Sequence, residues 1–272
     1  MPDPIYVAAR RVLLDALEAI RAHLDAIVLV GAQAVYLHAG EADLAVAPYT
    51  TDGDVAIDPR RIGPEPLIEE ALGAVGFQLA EDAVGIWQLL TDVGGQRKTV
   101  AVDLLVPASL GGPGRRGARI PPHAIRAARK VVGLEGALVD RDLREVGALE
   151  ADDDRRFKIA VSGPAGLIVA KVHKIAERTD DADRGSDKDA LDVYRLLRAV
   201  PTDDLVSRFG TLRTDGTSRD VTEAAIELLR QLFGSPAATG CEMAVRAAGP
   251  LEPADVLSAS IVALTQDLLN GL

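Results

Sequence analysis

The chain holds a single cysteine, Cys241, among its 272 residues. That excludes an intramolecular disulfide and a cysteine-built metal site. Aromatic residues make up only 3% of the sequence, too few to interleave with basic residues as a base-stacking surface requires. Positive charge is also in deficit. Thirty Lys and Arg face 41 Asp and Glu, and the net charge of −11 argues against a sequence-independent nucleic-acid binder. No apolar run approaches the ~20 residues of a membrane span. The first five residues carry two prolines and an aspartate, which is no secretory leader. Internal repeats and low-complexity linkers are missing. These absences lead us to expect a cytoplasmic protein with no membrane association. With 48% hydrophobic residues, the length is enough for one large core or two modest ones.

Hydrophobic periodicity divides the chain. Residues 5–24 carry Val12, Leu13, Leu17 and Ile20 at helical spacing, with Arg10, Arg11, Asp15 and Arg21 on the other positions. A strand is expected over 27–30, closed by Gly31 and followed by a helix over 32–37. A loop over 41–49 leads to a strand over 51–57. A helix is expected over 64–75, with Pro64 and Pro66 in its first turn. Strands over 77–80 and 86–90 read as a hairpin, and a strongly apolar strand follows over 97–107. Two short strands are expected within 131–149 and another over 155–161. Helices are expected over 162–178, capped by Ser162, and over 187–200, with a charged loop at 179–186 between them. From Pro201 onward the pattern is helical, most strongly over 221–233 and 255–269. Mixed strand and helix before Val161 and helix alone after it suggest an α+β fold. We expect a mixed sheet flanked by helices over residues 1–161 and a helical domain over 162–272.

The sheet half contains the chemistry. In a strand, residues i and i+2 point to one face. Asp52 and Asp54 therefore project side by side, with Asp58 further along and Gly53, Val55 and Ile57 turned toward core. Folding alone gives no reason to hold two carboxylates so close. A divalent cation does, and oxygen-rich sites of this kind suit Mg²⁺. Asp103 is the only carboxylate of its apolar strand and is costly to bury unpaired. Its candidate partners are a metal, hydrogen-bond donors, or Arg97 or Lys98. The strand–Gly31–helix passage, with Ala32 and Gln33, has the geometry of an anion site, because backbone N–H groups and the helix dipole favour negative charge there.

Two further features stand out. Arg115, Arg116, Arg119, Arg126, Arg129 and Lys130, with His123 among them, form the most basic stretch. It is either a solvated face or a contact for phosphate or RNA. Lys171 sits inside the apolar stripe of its helix, so it must snorkel or meet an anion. Asp189 and Asp192 continue the buried face of the next helix. There they cap the helix, pair with Lys171 or Arg178, or wall a site.

Taken together, Val30-Gly31-Ala32, Asp52-Gly53-Asp54 and Val102-Asp103-Leu104 resemble the nucleotidyltransferase superfamily with the DNA polymerase β-type palm. Within it the chain looks most like the AbiEii/MenT-type toxins, whose helical Lys motif and Asp-x-x-Asp motif match Lys171 in LIVAKVHKIAER and Asp189-Ala190-Leu191-Asp192. The resemblance covers roughly residues 27–200, and Ala32 stands where that pattern usually has Ser or Gly. It implies Asp52, Asp54 and Asp103 as ligands of two Mg²⁺ ions, with Asp103 also activating the acceptor hydroxyl. It implies Gly31, Ala32, Gln33 and Lys171 at the phosphates of an NTP, and Asp189 as support for the site. It further implies transfer of NMP to an acceptor such as tRNA, reached through residues 115–130, by a toxin paired with an antitoxin. A nucleotide-binding or partner-binding module that keeps the fold without catalysis is the alternative.

Overall fold

The computed structural model describes residues 3–40, 49–177, 185–251 and 253–272. Of the loops expected over 41–49 and 179–186, residues 41–48 and 179–184 lie outside the described residues, as does Arg178, while 185–186 already belong to a helix. The architecture is α+β, with a mixed eight-stranded sheet, flanking helices and a helical C-terminal region. The strands are β1 (Ile27–Val30), β2 (Asp52–Ile57), β3 (Gln78–Leu79), β4 (Ile86–Val93), β5 (Gln96–Pro107), β6 (Arg129–Val131), β7 (Arg141–Gly147) and β8 (Arg156–Ser162). The helices are α1 (Pro4–Ala19), α2 (Gly31–Ala39), α3 (Ile68–Ala74), α4 (Glu135–Val139), α5 (Pro164–Glu177), α6 (Gly185–Ala199), α7 (Thr202–Thr214), α8 (Arg219–Phe233), α9 (Thr239–Ala248) and α10 (Ala254–Gly271). None of the helices among the described residues is long and apolar enough to cross a membrane.

The chain forms two compact units. The first comprises Met1–Gln33, Pro48–Val131 and Arg141–Ser162; the second comprises Ala34–Ala47, Val132–Asp140 and Gly163–Leu272.

The first unit holds the whole sheet, in the order β3-β4-β5-β2-β1-β8-β7, with β6 on the flank of β5. The β1–β2, β3–β4, β4–β5 and β7–β8 pairs are antiparallel; β1–β8, β2–β5 and β5–β6 are parallel. Helix α1 covers one face. A side chain at Gly53 would come within 3.1 Å of Leu13 on that helix, so the residue facing α1 there must be small. Ile27, Leu29, Val55, Ile57, Val102 and Leu104 are fully or almost fully buried.

Several local expectations are corrected. Helix α1 stops at Ala19 and a short 3-10 helix, Arg21–Ala26, leads into β1. Arg10, expected on the polar side of α1, is 3% exposed. Helix α3 starts only at Ile68, because a residue preceding proline is pushed out of the helical region and both Pro64 and Pro66 intervene. The Ile68 N–H donates to His123 Nδ1, so His123 is a buried helix anchor and no part of a basic surface. Residues 131–149 hold a single further strand, β7, after the end of β6. In place of the second of the two strands expected within 131–149, this stretch contains the helix α4.

The second unit is helical. Helix α5 sits among α4, α6, α7 and α8, and α6 also packs against α9. Tyr194, Phe209 and Phe233 are the largest side chains buried there. Ser162 ends β8, and the cap of α5 comes from Asp140, whose Oδ2 accepts from Gly166 N at 2.9 Å. Arg208 closes on the other oxygen of Asp140 at 2.7 Å. An acidic group at a helix start complements the helix dipole.

Candidate functional site

The parallel pairing of β2 with β5 places Asp54 directly opposite Asp103, and Asp52 opposite Ala101. Register partners in a parallel pair share a face, and Asp52 is two residues from Asp54. The three carboxylates therefore stand on one face of the sheet, opposite to the face that α1 covers. The antiparallel partner of Asp54 on its other side is Val30, the last residue of β1. This brings the glycine turn beside the acids. Gly31 has φ +67, and a Cβ there would lie 2.0 Å from Asp54 Oδ2. Glycine is demanded twice, by the backbone conformation and by the carboxylate pressed against it.

Each acid has a defined setting. Asp52 is half-buried, and Thr50 Oγ1 donates to its Oδ1 at 2.7 Å. Asp54 is half-buried beside Gly31. Asp103 is 7% exposed, and Arg129 Nη2 reaches its Oδ2 at 2.5 Å. The pairing follows from the sheet. Arg129 is the register partner of Leu105 on β6, and Leu105 shares a face with Asp103. Neither Arg97 nor Lys98 pairs with Asp103; they oppose Asp92 and Thr91 further down the hairpin. Asp58 lies just beyond β2 and binds Arg60 through both carboxylate oxygens, at 2.8 and 3.0 Å, so it stands apart from the other three acids.

Gln33, expected at a phosphate, is 1% exposed and engaged inside the protein. Its Oε1 accepts from Arg10 Nε at 2.6 Å, and its Nε2 donates to the Asp52 carbonyl at 2.9 Å. Arg10 also donates to the Gly147 carbonyl and to Tyr6. Burial lowers the pKa of Arg10, an effect the Tyr6 hydroxyl partly offsets. Arg10 and Gln33 thus form a buried strut that fixes the backbone at Asp52. Neither Arg10 nor Arg129 was singled out by periodicity, since both partners are distant in sequence.

In the second unit, Lys171 meets the anions its position demanded. Its Nζ lies 2.8 Å from Asp189 Oδ1 and 2.9 Å from Asp192 Oδ2, and all three residues are at most 5% exposed. Arg195 holds the second oxygen of Asp192 at 2.8 Å and stacks over Tyr36. Lys174 reaches the other oxygen of Asp189 at 2.9 Å, in a geometry that leaves that oxygen without a well-formed hydrogen bond. Burial alone would raise the pKa of Asp189, but Lys171 and then Lys174 carry it down to about 2. The same two aspartates override burial and raise that of Lys171. The ammonium expected at nucleotide phosphates is therefore already neutralised by two carboxylates.

Of the basic stretch, Arg126 donates to the Ala83 carbonyl, Arg129 to Asp103, and Lys130 to the carbonyls of Gly112 and Gly114. Arg115, Arg116 and Arg119 are exposed.

The site's chemistry suits Mg²⁺ in one respect. Mg²⁺ is commonly held by one or two carboxylates, with waters and substrate phosphates completing its shell. Asp52 and Asp54 supply such a pair. Among the described residues no group of three or more His, Cys, Asp and Glu side chains converges as a ready cage, and Asp103 is turned to Arg129.

No protein-family model, curated protein or solved structure matches the chain.

Proposed function

We propose that the chain is a Mg²⁺-dependent nucleotidyltransferase that moves NMP from an NTP to an acceptor hydroxyl. The observation that supports it best is the register of β2 and β5, which sets Asp54 opposite Asp103 with Asp52 on the same face, beside the Gly31 turn. In this reading Asp52 and Asp54 hold Mg²⁺, which would polarise the phosphates and neutralise charge developing on the departing pyrophosphate. Gly31 and Ala32 offer backbone N–H groups to the phosphates. Asp103, steadied by Arg129, takes the proton of the acceptor hydroxyl as its oxygen bonds to the α-phosphorus and the bond to pyrophosphate breaks. Thr50 and the Arg10–Gln33 strut keep Asp52 in place. The ion-paired Lys171 and Asp189 act as a structural support in the second unit. An RNA acceptor such as tRNA, reached through the exposed Arg115, Arg116 and Arg119, and a toxin role beside an antitoxin rest on the resemblance alone.

The Arg129–Asp103 pair favours a second reading, a nucleotide-binding or partner-binding module without catalysis, because a neutralised Asp103 is a weaker metal ligand and base. One experiment separates the two. Protein, Mg²⁺, each α-labelled NTP and total tRNA are incubated, with Asp52→Ala/Asp54→Ala as control. Label entering RNA only with intact acids supports the transferase and names its nucleotide. Label on protein keeps the chemistry and changes the acceptor. Failure to transfer, combined with NTP binding that needs no Mg²⁺, would leave the module.

A further inference from the structure

The first unit contains a cavity of about 260 Å³ that the carboxylate site does not use. Its charged lining comprises Arg61, Arg141 and Lys158, with Asp25 and Asp142. It lies toward the other end of the sheet. Asp52 opens β2, whereas Arg61 follows Asp58 beyond the strand's far end, roughly 20 Å away at 3.3 Å per residue. Lys158 on β8 and Arg141 on β7 reach the cavity because these strands pair antiparallel, with Leu143 opposite Ala160.

The three cations outnumber the two lining carboxylates. Among the described residues Arg61, Arg141 and Lys158 form no side-chain ion pair or hydrogen bond. Asp58, whose charge acts on Arg141, is bound through both oxygens by Arg60, and the lining carboxylates Asp25 and Asp142 form no ion pair with the three cations. Burial and then the charge of Arg61 lower the pKa of Arg141, with Asp58 acting the other way and Arg60 adding to the repulsion. Like charges held together without a partner are what a bound anion would relieve. Guanidinium groups match the geometry of phosphate oxygens, and a lysine adds a point charge. The volume falls below the ~300–1,000 Å³ of pockets that enclose whole drug-sized molecules, so it suits the phosphate end of a ligand.

We propose that the cavity lined by Arg61, Arg141 and Lys158 is a phosphoryl-binding site separate from the carboxylate cluster. It takes either a free phosphate or phosphoester or a backbone phosphate of RNA. The proposal does not depend on the transferase reading, and the test is run in an Asp54→Asn background to keep the two apart.

Unfolding midpoints are measured with inorganic phosphate against chloride of equal ionic strength. Binding of a short single-stranded RNA is measured across a salt series. The comparison variant is Arg61→Ala/Lys158→Ala, two exposed positions whose replacement should leave the fold intact, as the midpoint in chloride will show. At roughly ten times the dissociation constant, phosphate should raise the midpoint by about 2–4 °C in the parent and not in the variant. If RNA is the source, the variant should bind RNA more weakly and its log–log salt slope should fall by about 1.4. A response to phosphate alone assigns a small ligand; a response to RNA alone assigns the nucleic-acid backbone. A variant that keeps both responses, or a parent that shows neither, overturns the proposal.

Discussion

Replacing Lys171 by Met removes a buried cation from between two buried carboxylates while nearly preserving volume. Asp192 keeps Arg195, and Asp189 keeps only Lys174, whose side chain is 40% exposed. Breaking a buried ion pair from one side costs ~3–5 kcal/mol. The remaining partners lower the expectation to about 3 kcal/mol, or an unfolding midpoint lower by roughly 6–12 °C for a chain of this size. The pH dependence carries the stronger test. In the parent, Asp189 sits at about 2 against an ordinary value of 3.8. Its contribution is therefore present above the ordinary value and is lost as pH falls toward 2. In the variant only Lys174 still opposes burial, so the pKa of Asp189 rises, the native state takes up a proton earlier, and the loss of stability on acidification is reduced. The difference between the two proteins should shrink steadily from neutral pH to about pH 3. Urea unfolding at several pH values measures it. A difference below about 1 kcal/mol at pH 7, or one that stays constant on acidification, would refute the reasoning. Lys171→Met/Asp189→Leu should recover part of the loss, since an apolar replacement of both partners leaves no orphaned charge.

Further outcomes are expected elsewhere. Gly31→Ala forces a side chain into the Asp54 carboxylate at a positive φ, and should cost about 1–3 kcal/mol in chemical denaturation. Asp103→Asn should weaken the hold on Arg129 and abolish label transfer if Asp103 is the base, while leaving Mg²⁺-dependent NTP binding through Asp52 and Asp54 measurable by titration calorimetry. Burial, with Glu242 adding to it, pushes the Cys241 thiol up to about 11. Reaction with a thiol reagent at pH 8 should therefore be slow in the native protein and fast in denaturant. His123→Ala removes the acceptor for Ile68 N–H, and should destabilise the protein by about 1–3 kcal/mol in the same denaturant assay.

The strands that carry the carboxylates were readable because each is local. The period-2 face of Asp52 and Asp54 and the apolar run around Asp103 are properties of single strands, and the parallel register that unites them needed only adjacency. What escaped was set by partners far along the chain. Arg129 reaches Asp103 through the β5–β6 register, and Arg10 is buried because Gln33 and the Gly147 carbonyl accept from it. The cap of α5 comes from Asp140, twenty-six residues before Gly166, although Ser162 stood in the textual position for it. His123 looked like one more basic-loop residue until its ring was found at the start of α3. The basic stretch lies largely on the surface, but hydrogen bonding ties Arg126 and Lys130 to carbonyls and turns Arg129 to Asp103.

The parallel β2–β5 pairing also dictates an order of events during synthesis. Gly31, Asp54, Asp103 and Arg129 come from four separate stretches of chain, and a parallel pair cannot be closed by a tight hairpin. The emerging chain can form β4–β5 as a local hairpin and β1–β2 across the α2 segment, but the carboxylates stay apart until β5 docks against β2. Arg129 arrives later still. For that interval the nascent protein carries Asp103 without its counter-ion on an apolar strand, and such long-range closures are slow steps in folding. The carboxylate cluster therefore cannot form before strand β5 has left the ribosome, and the Arg129 counter-ion joins it only with β6.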